Sequence, residues 1–166
     1  MPPRAADVTA LMRALVEHEV EFIVVGGVCA VLHGAPVSTF DLDIVPERTE
    51  GNIGRLIRAL ERLQAVHRDL AGRSIPPDAR RLVGPGHNLL MTSAGPLDVL
   101  GEIGAQRDYT ALSSRSHVVD VGEGLAIRVL DLDALIDTKR EAGRAKDLAT
   151  LPVLERTLEE SRRRGG

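Results

Sequence analysis

Apolar residues recur along this chain in two rhythms, one of helical period and one alternating. Val8, Leu11, Met12, Leu15 and Val16 share one stripe, which predicts an amphipathic helix over residues 7–18. The run FIVVGG at 22–27 is β-branched and stopped by two glycines, so it reads as a buried strand. Residues 28–33 suit a short helix ended by Gly34, and Pro36 makes 35–39 a connector. FDLDIV at 40–45 alternates as a strand does. Thr49 then caps the clearest helical stripe in the chain: Ile53, Leu56, Ile57, Leu60 and Leu63.

Pro76-Pro77 and Gly84-Pro85-Gly86 mark 71–86 as a loop. Two apolar runs, 87–93 and 96–102, flank Ala94-Gly95 and predict an antiparallel hairpin. A second hairpin is expected from 117–121 and 125–130 around Gly122-Glu123-Gly124, with a weak helical pattern before it at 106–113. Asp131 should cap a helix bearing Leu132, Leu135 and Ile136 that stops near Gly143. Leu148, Leu151, Leu154 and Leu158 predict a last helix, restarted at Pro152, and a frayed Arg-rich tail.

These elements give an α/β (α+β) class: a small mixed sheet flanked by helices, with a short C-terminal helical region. The whole of 1–166 reads as one domain, with a core over about 5–130 and the helical region over about 131–160. Aromatics make up 2% of the chain, so Val, Leu, Ile and Ala must build the core, which argues against a base-stacking platform for single strands. A formal net charge of −3 argues against a dedicated duplex binder with a basic face, though a local basic patch remains open. The single cysteine, Cys29, rules out an intrachain disulfide framework, and no run has the length to span a membrane. The expectation is a cytoplasmic protein with no membrane partner.

Candidate chemistry centres on 22–46. Asp41 and Asp43 lie two apart on an apolar strand and so project from one face, where they repel unless a cation neutralises them. Hard divalent ions take such oxygen ligands and commonly a substrate phosphate too. The competing reading leaves both acids facing water. Asp98 is again the lone charge in an apolar run, and a neighbouring strand would bring it to the same point. Gly26-Gly27 opens the backbone to a phosphate, although a plain turn would look the same. Lys139 falls on the apolar stripe of its helix, where it needs an anionic partner or a stem that reaches solvent. The mixed charges around it, through Asp147, read as a solvated face.

In combination, Gly26-Gly27, the T-x-D-x-D of Thr39, Asp41 and Asp43, and the isolated Asp98 resemble the nucleotidyltransferase superfamily that shares the polymerase-β palm. The segment KREAGRAKDL at 139–148 looks like its toxin-type branch, the AbiEii and MenT-like proteins and small relatives. The resemblance covers roughly 22–154. It implies Asp41, Asp43 and Asp98 as catalytic acids and ligands of Mg²⁺, or of Mn²⁺ in its place. It implies a nucleotide site of Gly26, Gly27, Thr39, Lys139 and Asp147, with Lys139 also catalytic. The implied reaction moves a nucleoside monophosphate from an NTP to an acceptor hydroxyl. In the toxin branch that acceptor is the tRNA 3′ end and the enzyme is paired with an antitoxin. A small-molecule or protein hydroxyl as acceptor, and a non-catalytic binding module of the same fold, remain alternatives.

Overall fold

A computed structural model describes residues 4–69 and 71–165. Seven strands form one mixed sheet in the order β3-β4-β5-β2-β1-β7-β6. Its centre is β1 (Phe22–Val25), antiparallel to β2 (Leu42–Pro46), with β2 parallel to β5 (Gly95–Leu100) and β1 parallel to β7 (Ala126–Leu130). β4 (His87–Thr92) pairs antiparallel with β5, and β6 (Ser116–Asp120) with β7, so both expected hairpins form. This is the mixed sheet flanked by helices that the apolar pattern predicts.

Every residue of β1 and of β5 is buried, so the middle of the sheet is covered on both sides. α1 (Val8–Glu17) and α3 (Glu50–Arg62) pack against each other, and α2 (Gly26–Leu32) lies on β1, β2 and α6 (Leu132–Ala142). The core is almost wholly aliphatic, joined by Met12, Cys29 and Phe22, its sole buried aromatic among the described residues. Asp7 and Thr49 cap α1 and α3 by accepting from the backbone N–H groups of Ala10 and Asn52. No helix among the described residues is long and apolar enough to cross a membrane.

Several local expectations are corrected. A two-residue edge strand, β3 (Val66–His67), precedes the expected loop, which itself contains a short helix, α4 (Ala79–Leu82). Neither is long enough to show a period. Phe40 and Asp41 lie just before β2 rather than in it, and α5 (Tyr109–Ser113) is shorter than its pattern. Asp131 sits at the N-cap of α6 but makes no cap bond, because its Oδ1 is 2.5 Å from His117 Nδ1. Pro152 does not restart the last helix: α7 runs unbroken over Ala145–Gly165, tail included. Leu151 and Leu154 are buried on its inner face, and that packing outweighs the hydrogen bond the proline removes.

Asn52 ties α3 to the sheet. Its side chain is fully buried, accepts from Glu21 N at 2.8 Å, and donates to Glu21 O at 2.9 Å and Glu47 O at 2.6 Å. These backbone groups flank the end of the β1–β2 ladder, where Pro46 has no N–H to give. Glu21 O also accepts from Glu47 N, but replacing Asn52 with Ala strands Glu21 N–H and Glu47 O, so urea unfolding of Asn52→Ala should show a loss of about 3 kcal/mol.

Candidate active site

β2 and β5 run parallel with Asp43 directly opposite Asp98. Each is fixed by its neighbours: Leu42 and Ile44 are fully buried, as is Leu97, and Val99 is 1% exposed. The alternation that buries those residues leaves both aspartates on the other face. Asp41 enters from the segment before β2, and one oxygen of each of the three carboxylates lies within 4.8 Å of the others. The three acids do converge, with Asp41 arriving from the segment before β2.

Such crowding is electrostatically costly. Burial, followed by the charges of Asp41 and Asp98, pushes Asp43 up to about 8. Burial and Asp98 likewise raise Asp41. Asp43 Oδ1 is buried and has no hydrogen-bond partner. A buried orphan oxygen among three carboxylates fits a divalent cation, which would take that lone pair and neutralise the cluster.

The two glycines at the end of β1 make room for this arrangement. Gly26 has φ +68°, and a Cβ there would lie 2.0 Å from Asp43 Oδ2. A Cβ on Gly27 would lie 2.6 Å from Thr39 Oγ1, which donates to Asp41 O at 3.0 Å. The glycines therefore admit Asp43 and the Thr39 turn as well as leaving the backbone open.

Gly26, Gly27, Thr39, Asp41 and Asp43 line a cavity of about 700 Å³. Lys139, Arg144, Lys146 and Asp147 line the same cavity. Gly143, left-handed at φ 64°, ends α6 and lets α7 begin two residues later, so both helices deliver basic side chains to one wall. Asp147 is 2% exposed, not part of a solvated face. It accepts from Arg144 Nε at 2.6 Å and pairs with Lys139 Nζ at 3.6 Å. Burial opposes its ionisation, but the Arg144 hydrogen bond with the Arg144 and Lys139 charges holds it below the usual carboxylate range. Asp147 is thus a buried anchor that holds two cations at the cavity. Residues 106–109 do not reach it: Arg107 grips Glu141 at 2.8 Å and Tyr109 lies near Glu21.

Arg68 is the residue that sequence reasoning missed. Its Nη2 donates to Asp98 Oδ1 at 2.6 Å and its Nη1 to Leu90 O at 3.0 Å. Nothing local marks it, since it follows a two-residue strand and meets Asp98 thirty positions later.

No family model matches the chain, and no curated protein matches it in sequence. Solved structures do match. A Thermotoga maritima protein assigned as a nucleotidyltransferase aligns over 92% of this chain and 91% of its own, with TM-score 0.56 and 19% identity. The fold is nucleotidyltransferase-like. The solution structure of the antibiotic-resistance factor ANT(2'')-Ia aligns over 91% of this chain and 82% of its own, with TM-score 0.58 and 14% identity. At these identities the likeness is one of fold, and the site stands on its own geometry.

The raised Asp43 gives a pH signature. Its carboxyl titrates near 4 when unfolded and at about 8 when folded, so the folded chain holds the extra proton between those values. Metal-free stability should therefore fall as pH rises from about 4 to about 8. Melting in EDTA across that window should show the decline, and Asp43→Asn should flatten it and melt higher at pH 8.

Proposed function

We propose that this chain is a Mg²⁺-dependent nucleotidyltransferase that moves a nucleoside monophosphate from an NTP to an acceptor hydroxyl. The observation that carries the reading is one cavity lined by Asp41 and Asp43, on which Asp98 converges, together with Lys139, Arg144 and Lys146. A nucleoside triphosphate has the complementary pattern. Its phosphates need cations, and its reacting phosphorus needs a divalent ion beside it.

Asp41, Asp43 and Asp98 would hold the ion, which when bound offsets the negative charge developing on the transferred group. Lys139 and Arg144, steadied by Asp147, hold the polyphosphate tail. Gly26 and Gly27 line the cavity, where their backbone can approach a phosphate beside Asp43 and Thr39. The acceptor oxygen forms its bond to the α-phosphorus as the bond to the bridging oxygen breaks. Pyrophosphate departs toward the basic wall, and the hydroxyl proton passes to Asp98 or to solvent. The site contributes positioning and fixed charge, as phosphoryl transfer requires.

The acceptor in this reading is the 3′ end of a tRNA, and the chain acts as the toxin of a pair with an antitoxin. Support for it is the KREAGRAKDL segment, which forms the α6–α7 junction at the cavity. A second reading, transfer to a small-molecule hydroxyl, is favoured by the net charge of −3, since an RNA-binding surface ordinarily has a basic surplus.

Labelled NTPs incubated with total RNA, protein lysate and small polyhydroxylated amines separate the acceptors by where label appears. Asp41→Asn should lower transfer by roughly a hundredfold or more while circular dichroism stays unchanged. Full transfer by that variant would sink the assignment. Lys139→Ala should act mainly through the NTP, raising its KM, because the lysine lies on the phosphate side of the cavity.

A further inference from the structure

Arg68 stands where the chain leaves the edge strand β3. Its backbone N–H donates to Leu89 O at 2.9 Å, which carries the β3–β4 ladder one residue further. Leu89 is opposite Asp98, and Asp98 is opposite Asp43. Arg68, Leu89, Asp98 and Asp43 therefore form one row across four strands, and residues opposite one another share a face. On that face the Arg68 side chain reaches over Leu89 to grip Asp98 Oδ1 at 2.6 Å. Its second bond, to Leu90 O, pins the guanidinium to β4 independently of the aspartate.

A guanidinium does not lose its charge. Among the described residues, Arg68 is the only cation within salt-bridge distance of any of the three acids, since Lys139 pairs with Asp147 instead. The aspartate end of the contact is sheltered, with a side-chain exposure of 12% for Asp98 against 30% for Arg68. It occupies one of the two oxygens of Asp98 and sets a fixed positive charge beside the point where a divalent ion would be held. Arg68 and the ion thus compete for one carboxylate, and limited access of water strengthens their mutual repulsion.

We propose that Arg68 is the built-in counter-ion of the acidic cluster: it steadies the site without metal and weakens its grip on a free divalent ion. The nucleotide's phosphates add the negative charge that outweighs the guanidinium. The ion then enters with the nucleotide, not ahead of it. This rests on the three acids being the metal site of the proposed transferase.

Mn²⁺ titrations followed by electron paramagnetic resonance on the full chain test it, with and without a non-hydrolysable NTP. Arg68→Gln should bind Mn²⁺ alone about tenfold tighter or more than wild type, and its gain from added nucleotide should shrink. Arg68→Lys keeps the charge and should stay within about threefold of wild type. Arg73→Gln breaks a surface pair with Asp69 outside the cluster and should change nothing. In EDTA, Arg68→Gln should melt lower, and saturating Mn²⁺ should restore it; where that variant does not fold, Arg68→Met is scored by the same Mn²⁺ criterion.

Equal or weaker Mn²⁺ binding by Arg68→Gln overturns the proposal, because a residue that only orients Asp98 gives that result. If wild type binds no Mn²⁺ even with nucleotide, the metal reading of the acids fails and this inference fails with it. Wild-type binding with an unmoved or weakened Arg68→Gln overturns this inference alone.

Discussion

Like-charge repulsion among Asp41, Asp43 and Asp98 is the constraint the rest of this structure answers. Three carboxylates whose oxygens lie within 4.8 Å are a poor choice for stability, and Asp43 keeps an unpartnered buried oxygen besides. The fold enforces the arrangement regardless. The β2–β5 register sets Asp43 against Asp98, and the alternation of fully buried Leu42, Ile44 and Leu97 leaves neither strand free to slip by one. Gly26 removes the side chain that would collide with Asp43. Packing thus holds together what electrostatics would push apart, a common condition of catalytic sites.

Positive charge is supplied from two directions with different geometry. Arg68 makes direct contact from the edge of the sheet. Lys139, Arg144 and Lys146 line the cavity that Asp41 and Asp43 also line, the first two steadied by Asp147.

The sheet and the acids were legible in the sequence because they obey short periods. Asp41, Asp43 and Asp98 each interrupt an apolar run, and the flanking residues reveal which face they occupy. Lys139 was legible from its position on a helical stripe. Features that depend on distant partners were not. Arg68 follows a strand of two residues, too short for a pattern, and its partner is fixed only by sheet order. Asp147 lies in a mixed-charge run typical of a solvated surface, yet the turn at Gly143 folds it inward. Asp131 has the identity of a cap but spends its carboxylate on His117. Pro152 carries a strong local breaking signal that burial of Leu151 and Leu154 overrides.

The β6–β7 hairpin sits at the far edge of the sheet, and none of its residues lines the cavity. Its tip, Gly122-Glu123-Gly124, is exposed, and both glycines there already tolerate positive φ. The molecule is therefore modular in an evolutionary sense. Length and sequence can drift at this corner, or a new segment be spliced into it, without moving the aspartates. New recognition surfaces can be acquired there while the acidic cluster stays fixed.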